Sequence, residues 1–238
     1  MPEDNEVLKK RIARACRIAY LEGFKEDKGN EIAGHISMRT GLTLLMPGHL
    51  HDQGKGLPDI TAADIIEVDM DGNRIKGNLD PVEEVVIHTF IYRARPEINC
   101  VTHLHAPTAT ALASTDETIL PLSIRSSYFA EGLPILQRGP CIIDNDDIAS
   151  EMIRIMGGQN ALIHKGHGIV TAGRNMEEAC TLAIFLEGSA RNQLLAKQLG
   201  NLKPFEKRDA VEYARTHSLD RRKYVWLSYE NKWKDIQV

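Results

Sequence analysis

The sequence predicts an α/β protein with a mixed, mostly antiparallel sheet flanked by helices. Segments with helical apolar spacing alternate with short strand-like runs along the 238 residues. Several of the strand-like runs are separated by turns of hairpin length, which join antiparallel neighbours. No Gly-x-Gly-x-x-Gly follows a strand, so a doubly wound nucleotide-binding sheet has no support.

Residues 4–22 read as the first helix. Asp4 is its cap, Val7, Leu8, Ile12, Ala15, Ile18 and Ala19 keep helical spacing, and Gly23 follows its end. Ile32 to Arg39 reads as a strand, Thr40-Gly41 as a turn and Thr43 to Met46 as the hairpin partner. The Gly- and His-rich stretch 48–58 is a loop, and Thr61 to Asp64 has the spacing of a short capped helix. Ile65 to Met70 and Arg74 to Lys76 form a hairpin around Asp71-Gly72-Asn73. Asp80-Pro81 opens a second helix, with Glu83 and Glu84 in its first turn, that ends before Pro96.

Ile98 to His105 is then a strand and Pro107 to Ser114 a short helix. Leu133 to Leu136 and Cys141 to Ile143 are short strands, and Asp144 to Met156 is a helix. Ala161 to His164 and Ile169 to Thr171 are strands about a tight turn at Gly166 and Gly168. Asn175 caps a long helix to about Leu199. The body spans 1–200. The polar tail 201–238 holds Tyr213, Tyr224, Trp226, Tyr229 and Trp233, too many aromatics for disorder, and is expected to pack on the body or on a neighbouring subunit.

Composition narrows the function. Apolar residues make up 42% and charged residues 26%, which suits a globular domain with a sizeable core. A net charge of -4 gives no electrostatic basis for binding nucleic acid or an acidic membrane. The densest basic run, Arg221-Arg222-Lys223, reads as a solvated face. Cys16, Cys100, Cys141 and Cys180 form no Cys-x-x-Cys pair and read as core residues in a reducing compartment. The acidic, polar start is no signal peptide, and no apolar run approaches the roughly 20 residues of a membrane span. The expectation is a cytoplasmic protein acting on a small molecule.

The candidate chemistry begins at Val101-Thr-His-Leu-His-Ala106. Strand residues two apart share a face, so His103 and His105 project side by side, near enough to share one ion. Alternation alone also fits two core histidines. In His164-Lys-Gly-His-Gly168, glycines on both sides of His167 permit a tight turn and a close backbone approach. His167 can close a set of three imidazoles suited to Zn2+, and also to Mn2+, Fe2+ or Co2+. Glu84 falls on the apolar helical face of Ile87 and Ile91, where a carboxylate needs a partner, and a metal ion is such a partner. Glu83 suits the helix dipole, and His88 a supporting position.

These segments resemble the class II aldolase/adducin superfamily. The resemblance spans roughly residues 5 to 200. It rests on Ala33-Gly-His-Ile-Ser-Met-Arg39, Leu45-Met-Pro-Gly48, Ile60-Thr-Ala-Ala-Asp64, Val68-Asp-Met-Asp-Gly-Asn73, Glu84, His88, Arg95-Pro96, Val101 to Ala106 and His167-Gly168. It implies a three-layer α/β/α fold, an ion held by His103, His105 and His167, and Glu84 as acid/base or fourth ligand. It also implies a homotetramer with active sites at subunit interfaces.

The mechanism expected is carbon–carbon cleavage that leaves an enolate stabilised by the ion, by decarboxylation or retro-aldol reaction. Glu84 carries the proton, its pKa lifted toward neutrality by burial. Departures from the family pattern bear on the substrate. Val82-Glu83 stands where sugar-phosphate aldolases carry phosphate-binding serines, and His35 stands where they carry Asn. A phosphate nest needs amide and hydroxyl donors, so a non-phosphorylated substrate is expected. Gly34, His35, Ser37, Gly48 and His49, with His51, are the candidates for its polar wall. Arg125 lies near the place of the family's tyrosine acid and can bind a carboxylate, with Tyr128 just beyond. Hydroxylated aromatic dicarboxylates fit this pattern. The alternatives are a sugar-phosphate aldolase or epimerase and a non-catalytic adducin-like interaction domain.

Overall fold

The structure is a computed structural model that describes residues 4–25, 34–219 and 223–235, with His51 described by its backbone alone. The expected strand start at Ile32, Ala33 of the first motif, Arg221 and Arg222 lie outside the described residues. The strands, in chain order, are β1 (His35–Thr40), β2 (Thr43–Pro47), β3 (Ile65–Asp69), β4 (Arg74–Lys76), β5 (Cys100–Leu104), β6 (Ile135–Leu136), β7 (Ala161–His164) and β8 (Gly168–Gly173). They form one sheet in the order β4-β3-β2-β1-β5-β8-β7-β6. Every neighbouring pair is antiparallel except β6 and β7, which are parallel. The expected mixed, mostly antiparallel sheet is therefore present.

The helices are α1 (Asn5–Leu21), α2 (Val85–Ala94), α3 (Pro107–Leu112), α4 (Asp146–Met156), α5 (Met176–Leu199), α6 (Lys207–Thr216) and α7 (Lys223–Lys232). Strand alternation sorts the core into two layers. Ile36, Met38, Leu45, Cys100, Leu104 and Ile169 face α1 and α5. Leu44, Met46, Val101, Leu162 and Val170 face α2 and α4. Each such fully buried Leu or Ile contributes about 1.5–3 kcal/mol through removal from water. The caps follow the sequence: Asp4 accepts Glu6 N–H, Asn145 accepts Ile148 N–H and Asn175 accepts Glu178 N–H. In the tail, Trp226 and Tyr229 are buried, and Glu22 accepts from Lys232 Nζ and Trp233 Nε1. Among the described residues no helix is long and apolar enough to cross a membrane.

Some boundaries differ from expectation. The stretch 48–58 carries short 3-10 turns at His51–Gln53 and Leu57–Asp59, and α3 stops at Leu112 rather than Ser114. The second helix begins at Val85, a turn later than Pro81. Asp80 does not cap it, because its carboxylate pairs with Arg74 (2.9 Å). Residues 141–143 are not a strand. Their apolar pattern is strand-like, but the Ile143 N–H is donated to Glu84 Oε1 (3.2 Å) instead of to a neighbouring strand.

Candidate metal centre

Register and the helix start assemble one cluster at the ends of β1 and β5. His35 and His103 are direct partners across the β1–β5 ladder. His103, Val101 and His105 share the period-two face that looks toward α2. The turn between β7 and β8 returns His167 to the same place, with Gly166 at φ +74°. Gly168 makes the approach possible: a Cβ there would lie 2.7 Å from the Leu104 carbonyl and 3.2 Å from His103 Cε1. Glu84 does not sit on the helical face of Ile87 and Ile91 as expected. It is the residue before Val85, free of any capping bond, and its side chain turns into the cluster.

The donor atoms converge. His103 Nε2 lies 3.1 Å from His167 Nε2, and Glu84 Oε2 lies 3.3 Å from His103 Nε2 and 3.5 Å from His167 Nε2. One ligand atom from each of His103, His105 and His167 falls within 4.8 Å of the others. A tetrahedral ion with bonds of about 2.0–2.1 Å places its ligand atoms about 3.3–3.4 Å apart. The observed spacings match that edge. Lone pairs and a carboxylate turned on one point, in a site where His103 is fully buried, are costly without a positive charge among them. The cluster thus fits a divalent cation.

The protonation states fit as well. Burial pushes the Glu84 carboxyl upward, but His103, His167 and His35 outweigh it and hold it well below the usual carboxylate range. The expected lift toward neutrality is therefore reversed, because facing rings dominate over burial. Burial holds His103 down to about 4, against the partial opposition of Glu84. His164, behind the turn, is likewise held down to about 4 by burial and then by His167, on which it stacks at 5.0 Å. An ionised carboxylate and a neutral imidazole are the forms that bind metal.

A histidine whose folded pKa lies below its unfolded value binds its proton more readily once unfolded. The stability tied to it is complete above about pH 6.5 and is lost as pH falls toward about 4. We expect the metal-free protein to lose stability through that window in denaturant unfolding at stepped pH. His164→Asn is expected to flatten the slope by about one proton; an unchanged slope would contradict the assignment.

The remaining predicted residues lie around the cluster or apart from it. Gly34, His35 and Gly48 line a narrow cleft of about 20 Å³ with Lys55 and Val82. Gly48 packs so closely on residues 79–80 that a Cβ would lie 2.4 Å from Leu79 Cβ. The His49 N–H donates to the Asp80 carbonyl (2.7 Å), and its ring faces Asp52 (3.9 Å). Ser37 is buried, its hydroxyl bonded to His88 Nδ1 (2.6 Å) and Tyr92 (2.7 Å). Arg125 and Tyr128 are engaged away from the cluster. Arg125 is exposed and stacks over Phe185 (5.2 Å), and Tyr128 O–H donates to the His217 carbonyl (2.6 Å). A cavity of about 710 Å³ is lined by His167 together with Gln137, Arg138, Cys141, Lys165 and Gly166.

Sequence reasoning missed three supports. The Ile143 N–H anchors Glu84, Tyr92 closes the polar group around Ser37, and buried Glu187 accepts the Thr108 and Ala109 N–H groups, holding α3 directly after His105. Only Glu187 left a trace in the sequence, as a carboxylate within an apolar helix stretch.

Comparison with known proteins yields a consistent set. Residues 10–194 match the family described as Class II Aldolase and Adducin N-terminal domain. A 3,4-dihydroxyphthalate decarboxylase of Arthrobacter keyseri is 32% identical over 212 residues, covering 84% of each chain. An L-fuculose phosphate aldolase of Methanococcus maripaludis is 27% identical over 187 residues, covering 78% of this chain and 96% of its own. Among solved structures, an L-fuculose 1-phosphate aldolase from Glaciozyma antarctica superposes with a TM-score of 0.81 at 22% identity, covering 98% of this chain and 92% of its own.

Proposed function

This chain belongs to the class II aldolase and adducin N-terminal domain family, and from that membership we propose that it is a metal-dependent carbon–carbon lyase acting on a small, non-phosphorylated hydroxylated carboxylic acid. The observation that carries the reading is the convergence of His103, His167 and Glu84 at ligand spacing beside a roomy cavity. His103, His105 and His167 would hold the ion, with Glu84 as further ligand or proton carrier; Zn2+ suits the set best, and Mn2+, Fe2+ or Co2+ would also serve. A divalent ion bound there supplies Lewis acidity, stabilising negative charge as the adjacent carbon–carbon bond breaks.

Glu84 does the proton work. Its Oε1 is anchored by the Ile143 N–H, which leaves Oε2 to take a proton from a substrate hydroxyl and to return one to carbon. Arg138 and Lys165 line the cavity beside His167 and favour an anionic substrate. Val82, beside Gly34 and Gly48 in the narrow cleft, offers no hydroxyl to a phosphate. Decarboxylation of a hydroxylated aromatic dicarboxylate is the preferred chemistry, supported by the likeness to 3,4-dihydroxyphthalate decarboxylases. We also propose a homo-oligomer with shared active sites, in which Arg125, exposed and over Phe185 rather than at the cluster of its own chain, would serve a neighbour's site, with Tyr128 beside it.

The test is product analysis of metal-loaded protein with 3,4-dihydroxyphthalate, other hydroxy acids and L-fuculose 1-phosphate. CO2 release from the dicarboxylate is expected. Aldehyde release from the sugar phosphate alone would favour the aldolase alternative, and binding of no ion would favour the non-catalytic one.

A further inference from the structure

Lys165 stands in the turn that presents His167. Strands β7 and β8 pair as far as His164 and Gly168, and the His167 N–H donates to the His164 carbonyl (3.1 Å). Lys165 and Gly166 form the tip between them. The Lys165 N–H donates to the Leu136 carbonyl (3.1 Å), which ties this tip to β6. Lys165 is exposed and lines the cavity of about 710 Å³ that reaches His167. A second recess of about 360 Å³, lined by His105 and Thr110, shares Ser114, Gly166 and His167 with the first. The two recesses therefore share a wall with the histidine cluster.

Their charge is one-sided. No Asp or Glu lines either recess, whereas Arg138 and Lys165 both line the larger. In a chain of net charge -4, that is a local excess of positive charge. The two cations are not equivalent. Arg138 Nη1 lies 2.7 Å from Glu151 Oε2, so its charge is already matched. Among the described residues no carboxylate lies within ion-pair distance of Lys165. An ammonium is a compact point charge on a flexible stem, able to follow an anion placed anywhere along that wall.

We propose that Lys165 binds the carboxylate that the substrate retains through the reaction, and so selects dicarboxylates over monocarboxylates. The inference rests on the decarboxylase reading above. In 3,4-dihydroxyphthalate one carboxylate stands beside a hydroxyl, and the two together form a chelating pair. The other carboxylate stands clear of the hydroxyls. Taking it partly out of water is costly unless a cation faces it, and Lys165 is the unmatched cation of the recess. Held there, the substrate turns its hydroxyl-flanked carboxylate toward His103, His105 and His167. Lys165 thus sets binding and orientation and touches no bond that breaks.

The experiment compares 3,4-dihydroxyphthalate with 2,3-dihydroxybenzoate, the same molecule without the retained carboxylate. Affinity for the metal-loaded protein is read by stopped-flow ultraviolet absorbance before turnover, and CO2 release is followed in parallel. Wild type is expected to bind the dicarboxylate about tenfold more tightly, the worth of one charge-assisted contact. Lys165→Met is expected to erase that preference, raising KM for the dicarboxylate with kcat nearly unchanged and leaving 2,3-dihydroxybenzoate affinity as it was. Lys165→Arg should keep the preference, and Arg138→Met should keep most of it. Equal affinities in wild type, or an undiminished preference in Lys165→Met, would overturn the assignment. Equal weakening of both compounds would also overturn it, since that is general attraction and not recognition of one group. A wild type that shows the preference yet releases CO2 from neither compound would overturn the decarboxylase reading and leave the Lys165 subsite standing.

Discussion

Glu84→Gln is expected to lower turnover by about 10²–10⁴-fold at saturating metal, the usual contribution of a positioned acid or base. The substitution keeps the side chain's shape, and its amide oxygen can still accept the Ile143 N–H, so the loop that follows residue 140 stays in place. What changes is Oε2, the atom turned toward His103 and His167. An amide there carries no charge and accepts no proton. The measurement is kcat with the carboxylated substrate identified by CO2 release, alongside the metal content of the same sample. A variant with full metal and full turnover would remove Glu84 from the mechanism.

His103→Ala is expected to have an effect at least as large. His103 is fully buried, and its Nε2 lies closest to both His167 Nε2 and Glu84 Oε2. Removing it takes one imidazole from the centre and leaves the Glu84 carboxylate with fewer partners. Turnover should fall by roughly a thousand-fold or more, in line with the several kcal/mol a Lewis acid contributes. His164→Asn is the control, since His164 stacks behind His167 and meets Cys141 Sγ rather than the cluster's converging atoms. Near-normal turnover in His103→Ala would show that the cluster is not the reaction centre.

How much of this was legible depends on whether the cause was local. His103 and His105 were readable because a strand repeats every two residues, and His167 because glycines at 166 and 168 announce a tight turn. The mostly antiparallel character of the sheet was readable from hairpin-length connections. The strand order was not, because pairing β1 with β5 brings together residues more than sixty positions apart. Glu84 was found for an incomplete reason. Helical spacing put it on an apolar face, whereas the helix starts one residue later and leaves it as a turn residue free to swing toward the histidines. Residues 141–143 look like a strand because their pattern is apolar, yet the carboxylate that takes the Ile143 N–H lies 59 positions away. The same non-local cause hides the buried polar group around Ser37, in which His35 and Ser37 come from β1 while His88 and Tyr92 come from α2.

The most direct measurement is titration of metal-free protein with Zn2+ and with Mn2+, followed by dialysis and elemental analysis. Retention of about one ion per chain in wild type, and of almost none in His103→Ala, is the predicted result. A wild-type chain that holds no ion in excess of either metal would contradict the account at its foundation.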